Sequence, residues 1–191
     1  MLDPDWPVPA DFAGPPSLPQ REGWEASDRA ARPARLDRPR DRFAAADVDA
    51  YFGVRPEHMR YLTGFSLGDG EEKVAGDSGR FLVSAHEVVL LADTRYTIQA
   101  RREAPDARLV AAYHDLPERW PAMMASIGAR RVAVDAGFLD HSTWERLVAV
   151  APGVEAGPEP VAGDDETDEF QTVEDQVVEE EPVEEQFVEE D

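Results

Sequence analysis

Residues 61–65 read YLTGF and residues 93–100 read DTRYTIQA, and these two stretches decide the fold of the chain. The first stretch closes a helix, because Pro56 occupies the favoured first helical position and Gly64 is a residue type that ends helices. The second stretch follows an apolar run and opens another helix, predicted over residues 94–104 and ended by a proline. Each stretch therefore marks the boundary of a regular element.

Short apolar runs mark the strands of a predicted sheet. Residues 81–83 and 88–92 are separated by Ala85-His86-Glu87, a pattern that predicts a β-hairpin. Two later helices are predicted from capping-box spacing, at Asp115 with Glu118 and at Ser142 with Glu145. Further strands are expected at residues 49–54, 109–113 and 132–134. Strands that alternate with helices indicate an α/β sheet with helices packed on it.

The acidity of the chain is concentrated at one end. The 191 residues include 41 Asp and Glu against 19 Lys and Arg, a formal net charge of −22. Residues 164–191 hold 15 acidic and no basic side chains, whereas residues 1–40 hold eight of the 16 prolines. We therefore predict a Pro-rich disordered arm over residues 1–40, a globular domain over 41–162, and an acidic disordered tail over 163–191.

Composition excludes several classes of protein. The chain has no cysteine, which excludes disulfide scaffolds, thiolate zinc sites and cysteine nucleophiles. It has no clustered Lys/Arg face of the kind that binds phosphates, so no nucleic-acid partner is expected. The longest apolar runs have five residues, far from the roughly 20 that span a bilayer, so no membrane partner is expected. The first residues lack a signal-peptide pattern, and we expect a cytoplasmic protein.

Two other features carry little functional information. Residues 76–79 (GDSG) match the start of the nucleophile loop of trypsin-like proteases, but that fold requires two antiparallel barrels, so we reject the match. The glycine-rich stretch that contains it is expected to be a mobile loop. The four histidines are dispersed without metal-ligand spacing and are expected at the surface or in turns: His58, His86, His114 and His141.

The two stretches quoted first, at their spacing, resemble the N-terminal domain of the creatinase, prolidase and Xaa-Pro aminopeptidase family. In that family a strand and a Pro-started turn lead through YLTGF to a hairpin, whose second strand runs into D-x-R-Y-x-x-Q-A. Residues 131–135, 144–147 and 152–154 look like that domain's last strand and helix, so the resemblance covers about residues 41–160. It implies an α/β fold in a single three-layer domain, with a mixed β-sheet flanked by helices.

The resemblance implies a domain with no catalytic residues, which covers the mouth of an active site and contributes to dimer contacts. The family's catalytic domain holds two divalent metal ions through two Asp, one His and two Glu. These 191 residues leave no room for such a domain, so we expect no metal ion or other cofactor in this chain. The candidates for contact with a peptide substrate held elsewhere are Arg95, Tyr96, His58 (where the family usually has Asn) and Tyr61.

Arg95 has independent physical support. It follows an apolar strand, and the carboxyl ends of strands are where α/β sheets present ligand-facing groups. Its planar guanidinium is suited to bind a carboxylate with two hydrogen bonds. The alternative is that Arg95 pairs with Asp93 or another nearby acid and that Tyr96 packs in the core.

Three hypotheses for function follow. In the first, the chain is a non-catalytic dimerisation or substrate-gating domain. In the second, it is part of a split or truncated Xaa-Pro metallopeptidase whose catalytic domain lies on a separate chain. In the third, it is an interaction module that uses its acidic tail. The first two imply a homodimer or a catalytic-domain partner chain, with a peptide substrate in contact.

Overall fold

The computed structural model describes residues 15–68, 70–71 and 74–157. Within them, helices and strands follow one another in the order α1 (Leu18–Ala46), β1 (Ala50–Gly53), α2 (Pro56–Thr63), β2 (Phe81–Ser84), β3 (Val88–Leu91), α3 (Thr97–Glu103), β4 (Arg108–Val110), α4 (Leu116–Ile127), β5 (Arg131–Val134), α5 (His141–Val150) and β6 (Glu155–Gly157). The predicted strands and the hairpin are confirmed. The short strand β6 was not predicted.

The strands form one mixed sheet in the order β4-β3-β2-β1-β5-β6. Strand β2 is antiparallel to both of its neighbours, while the β1–β5, β3–β4 and β5–β6 pairs are parallel. All strands but β2 therefore run in one direction and end at the same edge of the sheet. We call this the carboxyl edge: the backbone that follows β1, β3, β4 and β5, beginning at Val54, Ala92, Ala111 and Asp135.

Helices cover both faces of the sheet, which gives the predicted three layers. Successive strand residues point to opposite faces, so in β1 Tyr51 belongs to the core beneath α1, α2 and α3, whereas Ala50 and Phe52 belong to the core beneath α4 and α5. The second core centres on Trp120, whose ring meets Phe52 edge-on with centroids 5.0 Å apart. Both cores consist mainly of buried apolar side chains, the main source of stability.

The β1–β2 pair contains one close approach that requires a glycine. Gly53 lies opposite Phe81 in the register, and a Cβ added at Gly53 would be 2.1 Å from the Phe81 ring. The ring also meets Tyr51 edge-on, with centroids 5.6 Å apart. Phe81 therefore fills the space beside Gly53, on the face of the sheet that carries α1 to α3.

Helix α1 corrects the predicted boundary of the domain. The disordered arm was predicted over residues 1–40, but α1 begins at Leu18, so the prediction is wrong for residues 18–40. Pro33 and Pro39 lie inside this helix, and each removes one helical hydrogen bond. The predicted disorder of residues 1–14 and of the acidic tail lies outside the described residues.

Tertiary hydrogen bonds stabilise α1 in spite of its prolines. Four arginines at a spacing of three residues, which we call the arginine row, reach the ends of α2 and α3: Arg29, Arg32, Arg35 and Arg38. Arg32 donates from Nη1 to the carbonyl of Thr63 at 3.0 Å and to the carbonyl of Glu103. Carbonyls at the ends of helices have no partner within the helix, so one guanidinium satisfies two helix ends.

The starts of α3 and α5 differ in detail from the predictions. Helix α3 begins at Thr97 rather than residue 94, because the Asp93 carboxylate accepts the Arg95 backbone N–H at 2.7 Å and holds a turn there. The predicted cap of α5 at Ser142 is wrong. Asp140 caps this helix by accepting the backbone N–H of Thr143 at 2.7 Å.

Helix α4 is capped from a distant part of the chain. The helix begins after Asp115 as predicted, but Asp115 makes no side-chain cap and instead accepts a hydrogen bond from the Arg119 side chain. The cap is supplied by Asp77, whose Oδ2 accepts the backbone N–H of Leu116 at 3.0 Å. A residue 39 positions away thus replaces the predicted capping box.

Candidate functional site at the carboxyl edge of the sheet

Arg95 lies just beyond β3, at the carboxyl edge. Its Nε and Nη2 donate to the Asp93 carboxylate at 3.0 and 2.6 Å, and Nη2 also donates to the carbonyl of Val74 at 2.9 Å. The hydrogen bond from Arg95 lowers the pKa of Asp93, and the same bond raises the pKa of Arg95. Arg95 therefore pairs with Asp93, as the alternative predicted, while its side chain stays 47% exposed.

Two aromatic rings flank the Arg95 guanidinium. Its central carbon lies 4.9 Å from the centroid of the Tyr113 ring and 5.3 Å from that of Tyr96. Cations over aromatic faces are attracted by the ring quadrupole, so these rings help to fix the position of the guanidinium. Tyr113 itself is about half exposed and lies beside His114, with ring centroids 4.0 Å apart.

The glycine-containing loop before β2 is packed and hydrogen-bonded over residues 75–79. Ala75, Asp77 and Ser78 are all buried. The Asp77 backbone N–H donates to the Tyr113 carbonyl at 2.6 Å, and the Ser78 hydroxyl oxygen accepts the Asp93 backbone N–H at 3.0 Å. The GDSG sequence therefore serves to hold the loops that carry Arg95 and Tyr113. The rejection of a protease-like Ser78 agrees with its burial.

An open cavity of about 730 Å³ lies in front of these residues. It is lined by the segments that follow β3 and β4: Asp93, Thr94, Arg95, Ala111, Ala112, Tyr113, His114, Asp115 and Arg119. Arg119 pairs with Asp115 through Nη2 at 2.6 Å, so both guanidinium groups of the cavity have a carboxylate on one side. The cavity thus presents two oriented arginines beside an aromatic ring.

His58, on α2, belongs to a different, mostly buried cluster, together with Tyr51 of β1 and Asp135, which follows β5. The Tyr51 hydroxyl donates to Asp135 Oδ1 at 2.6 Å and lies 2.6 Å from His58 Nδ1. Asp135 Oδ2 accepts the backbone N–H groups of Val54 at 2.9 Å and Arg55 at 3.2 Å. Asp135 is 1% exposed. The prediction of a surface or turn position is therefore wrong for His58, whose side chain is mostly buried.

This cluster occupies the point where the strand order reverses. From β1 the chain proceeds outward through β2, β3 and β4 and then returns to β5 on the other side of β1. In open α/β sheets, ligands bind in the crevice outside the strand ends at such a point. Here the Asp135 carboxylate accepts the backbone N–H groups of Val54 and Arg55, so these donors already bind the protein's own anion.

The other two candidates lie apart from Arg95's exposed face. Tyr96 is 6% exposed and meets Phe65 edge-on with centroids 6.4 Å apart, so its ring belongs to the core, as the alternative predicted. Tyr61 is 39% exposed on α2, where its hydroxyl accepts a hydrogen bond from Arg38 at 3.0 Å and Arg35 lies over its ring. Arg95 and the Tyr96 ring are therefore neighbours, whereas His58 and Tyr61 lie in two other environments, so the four candidates do not form one site.

Sequence reasoning missed the residues that build the carboxyl edge. Asp77, Tyr113 and Asp135 were not among the candidates, although Tyr113 ends a predicted strand and Asp135 directly follows one. A position at the end of a strand is the signal in the sequence that could have identified Tyr113 and Asp135, as it identified Arg95. Asp77 had no such signal, because its partner Leu116 lies on another element.

Two kinds of feature are absent from the described residues. No group of three or more His, Asp or Glu side chains among them could hold a metal ion. No helix in the described ranges is long and apolar enough to cross a bilayer.

The sequence matches the family described as the Creatinase/Prolidase N-terminal domain over residues 35–161. The chain belongs to this family. Its first 34 residues, including more than half of α1, precede the matched region. Two predictions are therefore confirmed: the family, which was predicted from the two motifs, and the three-layer fold with a mixed sheet.

Individual relatives agree with this assignment. The chain is 23% identical over 124 residues to the uncharacterised peptidase YqhT of Bacillus subtilis, a match that covers 65% of this chain and 33% of the relative. Its fold is similar to that of an Xaa-Pro dipeptidase from Bacillus anthracis, with a TM-score of 0.56, 19% identity, and coverage of 65% of this chain and 32% of the other.

A structure of an N-terminal domain alone matches over most of its own length. The N-terminal domain of the cytoplasmic peptidase PepQ from Mycobacterium tuberculosis is 25% identical, with a TM-score of 0.52, and the match covers 64% of this chain and 88% of that domain. The chain thus spans about a third of the full-length relatives and matches their N-terminal domain.

Proposed function

We propose that this chain is the N-terminal, non-catalytic domain of an Xaa-Pro metallopeptidase and covers the mouth of an active site that lies on another domain or chain. Its match to the N-terminal domain of PepQ supports the proposal. The observation that carries it is the exposed Arg95 at the carboxyl edge, while at the same edge the Asp135 carboxylate engages the backbone N–H groups of Val54 and Arg55.

In this function Arg95 contacts the carboxylate of a peptide substrate held by the catalytic domain. Asp93 engages Nε and Nη2, and within the described residues Nη1 makes no hydrogen bond. The guanidinium is thus oriented by its own carboxylate with one nitrogen directed away from it. Guanidinium groups held in this way bind a second carboxylate with little further loss of side-chain entropy.

The carboxyl edge also has the composition of an interface with a partner, which we propose to be a catalytic domain or a second copy of the chain. Arg95 lies over Tyr113, and Arg55 lies 4.5 Å from the centroid of the Phe138 ring. Phe138 is 59% exposed. Arginine and aromatic side chains are enriched at the centres of interfaces. By analogy with PepQ, we propose a cytoplasmic location.

The proposal of a non-catalytic chain is tested by assay of the purified protein. Incubation with an Xaa-Pro dipeptide and Mn²⁺ is expected to release no amino acid. Metal-dependent release that EDTA abolishes would overturn the proposal. The adjacent reading frame of the natural gene is the second test. A frame that encodes two Asp, one His and two Glu of a metal centre identifies the partner, which is then co-expressed for assay.

The role of Arg95 is tested in the assembled peptidase. Arg95→Gln is expected to raise KM for the dipeptide about tenfold with a smaller change in kcat, because it removes one charge-assisted hydrogen bond to substrate. Arg119→Gln is the matched control, since Arg119 lines the same cavity but pairs with Asp115. Equal effects of the two substitutions would contradict a specific role for Arg95.

The hypothesis that the acidic tail is the functional part remains a second candidate, motivated by the 15 acidic side chains of residues 164–191. These residues lie outside the described structure. Deletion of residues 164–191 tests it: a partner captured by the full chain and lost on deletion supports the tail, and an unchanged set of partners counts against it.

A further inference from the structure

A second cavity lies at the edge of the sheet opposite the carboxyl edge. It is enclosed by α1, the turn between β2 and β3, and the segment that joins α3 to β4, and its volume is about 290 Å³. This is close to the lower limit of about 300 Å³ for small-molecule sites, which suits a ligand of one amino acid's size. Its apolar walls are Pro33, Leu36, Leu62, Val88, Ala104 and Ala107.

Four charged side chains line this cavity, and two of them are fully engaged by the protein. Arg32 donates to the carbonyls of Thr63 and Glu103 and to the Asp28 carboxylate. These hydrogen bonds use Nε and both terminal nitrogens of Arg32. Glu87 accepts two hydrogen bonds from Arg108, at 2.8 and 3.1 Å. Neither group has its charge available to a ligand.

The other two charged groups, Arg40 and Asp106, remain available. Arg40 is held in place by its Nε, which donates to the Ser84 carbonyl at 2.9 Å. Its Nη1 is 3.9 Å from Asp37, too far for a hydrogen bond, and Asp37 is 66% exposed, so this pair is weak. Among the described residues, Asp106 forms no ion pair or hydrogen bond and is not within 4 Å of Arg40.

We propose that this cavity binds a free α-amino acid with an apolar side chain. The ligand's carboxylate meets Arg40, its ammonium group meets Asp106, and its side chain packs on the apolar walls formed by Leu36 and Val88. The cavity complements such a ligand, because it offers a cation whose terminal nitrogens make only one weak ion pair, an anion without a partner among the described residues, and an apolar surface beside them. The proposal is independent of the proposed function, because the two sites lie at opposite edges of the sheet.

The test is a titration of the ¹⁵N-labelled full chain with leucine, followed by two-dimensional NMR. Saturable shifts are expected at the amides of Val88, Ala104 and Ala107. Two analogues separate the charges: 4-methylpentanoate lacks the ammonium group, and 3-methylbutylamine lacks the carboxylate. Each is expected to bind at least about tenfold more weakly than leucine, since each leaves one charged residue without its partner. Glycine, which lacks the apolar side chain, is expected to give no saturable shift.

Variants assign the binding to this cavity. Arg40→Gln and Asp106→Asn are each expected to weaken leucine binding by about tenfold. Arg38→Gln is the matched control, because Arg38 lies on the same helix but is exposed and bonded to Tyr61 outside the cavity. No saturable shift with leucine, equal affinity for 4-methylpentanoate, or unchanged affinity in both Arg40→Gln and Asp106→Asn would each overturn the proposal.

Discussion

Gln99 on α3 donates a hydrogen bond from Nε2 to the backbone carbonyl of Ser66, at 2.8 Å. Ser66 directly follows the YLTGF stretch, and Gln99 belongs to the DTRYTIQA stretch. The same two stretches meet again through Phe65 and Tyr96, whose rings pack edge-on. The two sequence motifs that identify the family therefore form one packed unit, which explains why they occur together.

Loss of the Gln99 hydrogen bond is expected to loosen the segment after α2. Gln99→Met keeps the length of the side chain but leaves the Ser66 carbonyl without this donor, so we expect a loss of about 1 kcal/mol in the free energy of unfolding. Urea denaturation measures it. Ile98→Ala is the control, because Ile98 is 86% exposed on the same helix. An equal loss in both variants would show that Gln99 has no specific role.

Gly53→Ala tests the close approach of β1 to the Phe81 ring. The added Cβ would lie 2.1 Å from that ring, and displacement of a packed ring is expected to cost about 1–3 kcal/mol. Gly137→Ala is the control, since its Cβ would meet nothing within 4 Å. Combination of Gly53→Ala with Phe81→Leu should cost less than the sum of the two single changes. Additive costs in urea denaturation would contradict the contact.

Asp77→Ala tests the distant cap of α4. The substitution removes the acceptor of the Leu116 N–H and the partner of Arg80, so we expect a loss of about 1–3 kcal/mol. Hydrogen exchange at the Leu116 amide should quicken. Asp115→Ala, which removes the predicted but unused cap, should leave that amide's exchange rate nearly unchanged. A larger effect from Asp115→Ala would reinstate the local capping box.

Asp140 makes stability depend on pH in the acid range. Hydrogen bonds from the Ser142 hydroxyl and then from Thr143 hold the pKa of the Asp140 carboxyl well below its usual value. A carboxyl whose pKa is depressed by folding stabilises the fold above its unfolded pKa of about 4, and this stabilisation is lost as the pH falls further.

The measurement is the urea midpoint of unfolding from neutral to acid pH. We expect Asp140→Asn to be less stable than the parent at neutral pH and to lose less stability between about pH 5 and pH 2, because it has no proton to take up on unfolding. Parallel pH profiles of the two proteins would show that Asp140 does not contribute to acid sensitivity.

The sequence predicted the elements whose signals are local. The strands of β1, β2, β3 and β5 are short apolar runs, and α2 is bounded by Pro56 and Gly64, so residue type and spacing were sufficient. Strand β6 escaped prediction because it has three residues, Glu155–Gly157, of which Glu155 and Ala156 are exposed, and it depends on pairing with β5.

Features that depend on distant partners were not predictable from local patterns. The cap supplied by Asp77 and the hydrogen bonds accepted by Asp135 join residues 39 and more than 80 positions apart. Of the candidate residues, the position of Arg95 at the end of a strand was correct, but neither its pairing with Asp93 nor the burial of Tyr96 was decided by the sequence. These depended on packing, which sequence spacing does not report.

The arginine row makes the stability of α1 depend on parts of the chain that are synthesised later. Arg32 hydrogen-bonds carbonyls 31 and 71 positions later in the chain, and Arg29 reaches one 73 positions later. A helix with two internal prolines gains little from its own hydrogen bonds. During translation, α1 therefore emerges before the other helices and strands that the structure describes, and its contacts with α2 and with α3 form only as each of these helices emerges.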